Sequence, residues 1–173
     1  MKKKYTITLD GKGIEEALGD IDIWKQWLKD KANELAEKLA QHGYEKAKVI
    51  IGNHVFNGDT LSGLRVEQID IAHYVLKVES QAILFLEFGT GLGGYGHPEP
   101  MGYGPGTYPG KGHWDDPKGW WFPTDDSRLA IKRDEKGQGW GHTYGMAPAM
   151  PMYEAHKAIE QDIQAIAREV LKT

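Results

Sequence analysis

Between Gly89 and Gly145 the chain carries 15 of its 22 glycines, 6 of its 8 prolines and four of its six tryptophans. Glycine and proline at that density argue against regular structure. Yet Trp114, Trp120, Trp121 and Trp140 are large apolar rings that a solvated linker does not carry. Such a stretch leaves the regular elements to its two flanks. It must also shelter its indoles against its own domain or another chain. Loops beyond about 15 residues are uncommon in small domains and are usually functional or disordered. The aromatics argue against plain disorder, so the expectation is an extended arm over 89–145 that anchors on a neighbouring subunit.

The flanks have clear periods. Tyr5, Ile7 and Leu9 alternate with polar residues, which predicts a short strand, and Asp10-Gly11-Lys12-Gly13 predicts a turn. From Asp20 to His42 the period is helical. Trp24, Trp27, Leu28, Leu35 and Leu39 share one face, with Asp20 or Asp22 as N-cap and Gly43 just past the end. Lys25, Lys29, Asp30, Glu34, Glu37 and Lys38 form the opposite, solvated face. Residues 47–79 predict an antiparallel meander: the β-rich Lys48-Val49-Ile50-Ile51, a turn at Asn57-Gly58-Asp59, then strands at Leu64–Ile69 and His73–Glu79. Ala82–Leu86 is apolar and too short for its period to distinguish helix from strand. Within the arm, Gly119–Pro123 and Leu129–Lys132 suggest a hairpin with Arg133–Gly137 as an exposed tip. After Pro151 a second helix is clear, with Met152, Ala155, Ile159, Ile163, Ile166 and Val170 on one face. The fold class expected is α+β. An antiparallel sheet carries two amphipathic helices on one face and a long Gly/Pro/Trp-rich insertion, all within a single domain over 1–173.

Composition narrows the function. The 173 residues carry a net charge of −4, so no global attraction to nucleic acid or an anionic membrane is expected. There is no cysteine, which excludes a disulfide framework, thiolate catalysis and cysteine-ligated metal. Met1-Lys2-Lys3-Lys4 is followed by alternating residues and not by the apolar run of a secretory signal, and no segment is apolar enough to span a bilayer. A soluble product made in a cytoplasm is the expectation.

Candidate chemistry is sparse. His97, Glu99, His113, Asp115, Asp116 and His142 cluster in the arm, but their spacings match no compact metal motif. Hydrogen bonding to loop backbone is the ordinary role for such groups, and neither metal nor cofactor is expected. Ser62 is not in a Gly-x-Ser-x-Gly elbow. Glu87, on an apolar segment, has the makings of a general acid or base. A carboxylate beside a Gly-Thr-Gly turn more often binds backbone N–H groups, and that role is preferred here. Gly89-Thr90-Gly91-Leu92-Gly93-Gly94 has the wrong spacing for a dinucleotide fingerprint, and Pro98 and Pro100 follow it where a helix should start. Tryptophan and tyrosine stack on sugars and on bases. Lys111 and Lys118 are flanked by Asp115 and Asp116, which disfavours nucleic acid. The chain therefore reads as an assembly component and not an enzyme. A hydrolase or carbohydrate-binding module with a His/Asp/Trp site in the arm is the alternative.

The order of blocks carries a resemblance. Ser62-Gly63-Leu64-Arg65 follows the N-terminal helix. Then come Ala82-Ile83-Leu84-Phe85-Leu86-Glu87-Phe88-Gly89-Thr90-Gly91, Gly119-Trp120-Trp121, and Thr143-Tyr144-Gly145-Met146-Ala147-Pro148 before the last helix. From about Asp20 to Leu171 this resembles the neck and tail-completion (minor tail component) proteins of long-tailed double-stranded DNA bacteriophages, with Glu-Phe-Gly-Thr-Gly the most specific block. Met150-Pro151-Met152 stands where that family usually has Pro-Phe-Met, and the loop is longer than usual. The resemblance implies a virion protein at the head–tail junction of a phage or prophage, assembled in the host cytoplasm. It would form a homo-oligomeric ring that contacts other head, neck or tail proteins, without sequence-specific nucleic-acid binding. No catalytic residue carries over. The interface expected is Glu87, Phe88, Gly89, Thr90, Gly91, Trp114, Trp120, Trp121 and Trp140, with the free sheet edge.

Overall fold

The computed structural model describes residues 8, 10–54, 59–80, 82–91 and 118–172. The fold is α+β, built on one long helix, α1 (Gly11–Gly52, 42 residues). Its N-cap is Asp10, whose carboxylate accepts from Gly13 N at 2.7 Å, so the expected turn at Asp10–Gly13 is instead the first turn of the helix. The strand expected over 4–9 lies outside the described residues apart from Thr8.

The expected C-cap at Gly43 and strand at Lys48–Ile51 are both corrected, because α1 runs through them. The buried positions Ala40, Gly43, Ala47 and Ile51 follow the helical period. Their seat is α4 (Pro151–Leu171), which packs antiparallel on α1. A Cβ at Gly43 would lie 2.7 Å from Ile159 Cδ1, so the glycine sets how closely the two helices approach. Lys38 Nζ meets Glu169 at 2.9 Å. His42 Nε2 sits 3.0 Å from Asp162 Oδ2, off the line of a hydrogen bond. Tertiary packing here outweighs the β preference of Val49-Ile50-Ile51.

A single helical turn, α2 (Asp59–Ser62), leads into the hairpin of β1 (Leu64–Asp70) and β2 (His73–Val78). Leu64 pairs with Val78 and Val66 with Leu76, and this face packs on α1. Ala47, Ile51, Leu64 and Ala155 form the central cluster, with Tyr44, Leu61, Leu76, Val78 and Met152 around it. Asn33 of α1 holds the hairpin's far end: its side chain donates to Tyr74 OH (3.2 Å) and accepts from Gln68 Nε2 and Ala72 N (3.0 Å each). The outer face is a charged ladder. Arg65 bonds Glu67 and Glu79 at 2.6 Å each, and Lys77 bonds Glu67 at 2.6 Å.

The remaining elements are α3 (Ile83–Phe88), β3 (Thr90–Gly91), β4 (Trp120–Pro123), β5 (Lys132–Arg133), β6 (Gly139–Thr143) and β7 (Gly145–Met146). The one sheet expected is divided among β1–β2, β3–β7 and a three-stranded β4–β6–β5, all antiparallel. The described end of the arm is thus more regular than its glycine content implied. Within it, β4 pairs with β6 and not with 129–132. The Arg133–Gly137 tip belongs to the β5–β6 hairpin. Gly141 admits the Phe122 ring on the paired strand.

Gly63 marks the tightest backbone approach in the core hairpin, where its carbonyl accepts from Glu79 N at 3.1 Å. A Cβ there would strike the Glu79 carbonyl. Gly63→Ala is expected to cost about 1–3 kcal/mol by splaying the hairpin base. Gly52→Ala, at the open end of α1 where a Cβ meets nothing, should be neutral or stabilising. Urea titrations of the two variants check the contrast.

Candidate functional site

Two neighbourhoods hold the residues singled out by the sequence. The first is the junction around Glu87. The apolar segment Ile83–Phe88 is a short helix, ended by Gly89 at φ 75°, a conformation that favours glycine. Thr90 and Gly91 then leave as β3 and pair with Met146 and Gly145 of β7. The Leu86 carbonyl accepts from Ala149 N (2.7 Å) and Met150 N (3.2 Å). Residues 86–91 and 145–150, which overlap two of the blocks of the resemblance, are therefore one hydrogen-bonded unit.

That unit also starts the last helix. Met150 precedes Pro151, and its backbone is left-handed (φ 54°, ψ 47°), with no capping bond from its own side chain. Pro151 takes the first helical position, where its missing N–H costs nothing. The part-buried backbone donors of Met152 and Tyr153 are satisfied instead by the Glu87 carboxylate, at 2.9 Å each. Glu87 is 8% exposed, and its charge lies at the positive end of α4. The carboxylate thus binds backbone N–H groups, among them those of Met152 and Tyr153 in the first turn of α4. Leu86, Phe88 and Gly89 are buried around it.

The second neighbourhood is the β4–β6–β5 sheet. Trp121 is exposed, and Lys132 Nζ lies 3.8 Å from the centre of its ring, a cation–π pairing. Edge-on contacts run from Trp121 to His142 (4.8 Å) and on to Tyr144 (4.9 Å). Trp121, Lys132, Arg133, Asp134 and Trp140 line an open cleft of about 460 Å³. Its one carboxylate is committed to the hairpin tip: Asp134 accepts from Trp140 Nε1 (3.2 Å) and from Lys136 N and Gln138 N (2.9 Å each). Those bonds, the indole's foremost, hold its carboxyl below the usual range. Asp126 is held lower still, to about 2, by the Arg128 guanidinium beside it.

The expected site residues thus fall apart. Glu87, Phe88 and Gly89 sit in the buried junction, together with the backbone of Thr90 and Gly91. Trp120 is half-buried, and Trp121 and Trp140 face the cleft. Trp114 lies outside the described residues, as do His97, Glu99, His113, Asp115 and Asp116, so of the histidine–carboxylate cluster only His142 is placed. Among the described residues there is no group of three or more histidine or carboxylate side chains able to hold a metal, and no helix long and apolar enough to cross a membrane.

Sequence reasoning missed the exposed apolar side of α1. Ile14, Leu18, Ile21, Trp24 and Leu28 are 38–57% exposed. Of the expected core face, Trp24 and Leu28 are only partly covered, at 51% and 38% exposure. Comparison with protein-family models, curated proteins and solved structures gives no match.

Proposed function

We propose that this chain is a structural component of a phage or prophage virion, acting at the head–tail junction as a tail-completion or connector protein through protein–protein contact. The observation that carries this reading is the Glu87 junction. Two of the four blocks that carry the resemblance, 82–91 and 143–148, meet beside the start of the last helix in a single scaffold whose carboxylate, Glu87, caps that helix. A motif used this way sets the shape of a subunit. The exposed Trp121, Tyr144 and Lys132 surface suits contact with a neighbouring subunit, since aromatic anchors dominate such interfaces. The partners under this reading are further copies of the chain in a ring and other head, neck or tail proteins.

Deleting the gene in the source phage or lysogen should yield filled heads and free tails that fail to join, with the protein recovered from wild-type particles by mass spectrometry. Joined, infectious particles without the protein would refute the proposal. The alternative, a sugar-binding or hydrolytic module, rests on the Trp121–Trp140 cleft and is weakened by the commitment of Asp134 to its turn. Replacing Trp120 and Trp121 by alanine should abolish joining under the first reading and glycan retention under the second. An affinity-gel assay on cell-wall glycans separates them.

A further inference from the structure

Two groups of charged side chains carry no ion pair among the described residues, and they are opposite in sign. The first is at the start of α1, where Glu15 and Asp20 are exposed and unpaired. Successive helix positions turn by about 100°, which sets these two acids on either side of the exposed stripe of Ile14, Leu18 and Ile21. Lys12 falls on the far side of the helix, and Lys25, further along, is already paired with Asp22 of its own helix. The start of α1 is therefore an apolar ridge bordered by acid.

The second group is on β5. Lys132 and Arg133 have no carboxylate partner among the described residues. Lys132 Nζ lies 3.8 Å from the centre of the Trp121 ring, and Arg133 donates to the Gly137 carbonyl at 3.0 Å. Both line the open cleft with Trp121 and Trp140. The acid beside them, Asp134, has its oxygens engaged by the Trp140 indole and the backbone of the hairpin tip. Glu135 is the one further acid on the hairpin, and Lys136 follows it. Because the Lys132 ammonium covers one face of the Trp121 ring, the cleft is a poor platform for stacking a sugar or a base. It is an apolar wall with cations fixed at its edge. Trp121 and Tyr144, 44% and 59% exposed, extend that wall.

Ridge and cleft match in both properties, apolar against aromatic and carboxylate against cation. They lie on different elements, so one copy's ridge in another's cleft is a heterologous contact. Such contacts run head to tail and close into a ring where the rotation permits. Ridge on ridge would set acid against acid, and cleft on cleft cation against cation.

We infer that the first turns of α1 of one copy seat in the Trp121–Lys132–Arg133 cleft of the next, with Glu15 and Asp20 meeting Lys132 and Arg133. This supplies the contact between copies in the ring proposed above, and it rests on that reading only for the ring's place in a virion.

The full chain should show concentration-dependent oligomers by sedimentation equilibrium. Lys132→Glu with Arg133→Glu should weaken them at least about tenfold, and so should Glu15→Lys with Asp20→Lys, because like charges then face each other. All four side chains are exposed, so both variants should keep the native circular dichroism spectrum. The decisive measurement mixes the two variants. A basic ridge then meets an acidic cleft at one joint and the native pair forms at the next, so the mixture should recover association that neither variant shows alone. A native chain that stays monomeric at about 100 μM, well above the range of specific interfaces, overturns the inference. So does a mixture that stays as dissociated as its parts, or either variant associating like the native chain. Head–tail joining in the deletion phage reports on the virion reading separately.

Discussion

Ile51→Ala is expected to lower the unfolding free energy by about 2–5 kcal/mol, the range for truncating a large aliphatic side chain in a packed core. Ile51 is 0% exposed and is the largest wholly buried side chain among the described residues, in the cluster with Ala47, Leu64 and Ala155. Its neighbours come from three elements, so the surroundings have little freedom to collapse into the space. Two controls sharpen the test. Ile51→Val removes one methylene and should cost about 0.5–1.5 kcal/mol. Val49→Ala, two residues earlier and 60% exposed, should be neutral or mildly stabilising, because alanine is the better helix former. A strand at 48–51 would reverse that sign, since alanine is depleted in strands. Guanidinium titrations with a constant slope would register all three changes. A loss below about 1 kcal/mol at Ile51 would contradict the packing of α1 on α4 and β1.

Glu87→Ala should be comparably damaging, at about 2–4 kcal/mol. It strips two backbone donors at the start of α4 of their acceptor, and each part-buried donor left unpaired costs about 1–3 kcal/mol before water re-enters. Glu87→Gln keeps an acceptor oxygen, loses the charge-assisted pair and the favourable field of the helix end, and should cost about half as much. Amide exchange locates the effect. The N–H groups of Met152 and Tyr153 should lose protection in the alanine variant, ahead of the amides in the middle of α4. Unchanged exchange there would mean the carboxylate is not the cap. Because the cap is built from α3, the same substitution should loosen the β3–β7 pairing beside it.

The periodic elements with strong side chains were legible in advance. The alternating strands at 64–70 and 73–78 and the final helix are where their patterns put them. Failures came where the residues that pack are small. Ala40, Gly43 and Ala47 carry the buried stripe of α1, and neither alanine nor glycine stands out as an apolar face, whereas Val49-Ile50-Ile51 advertises a strand. The central strand β6 went unseen for a related reason. Gly139 and Gly141 lower its β signal, yet Gly141 is what lets Phe122 lie across it. At Glu87 the role was legible and the partner was not, because the donors lie 65 and 66 residues downstream and only the fold brings them near. The exposed apolar side of α1 is hidden by the same rule that finds the helix: periodicity marks an apolar stripe and cannot say whether this chain supplies the covering surface.

The antiparallel seating of α4 on α1 also has a temporal side. Ile51 leaves the ribosome about 100 residues before Ala155, its companion in the central cluster. At roughly 5–20 residues per second, that surface waits on the order of 5–20 s for its lid. During that interval the nascent polypeptide displays greasy helix to every passing chaperone and to its siblings on the same polysome.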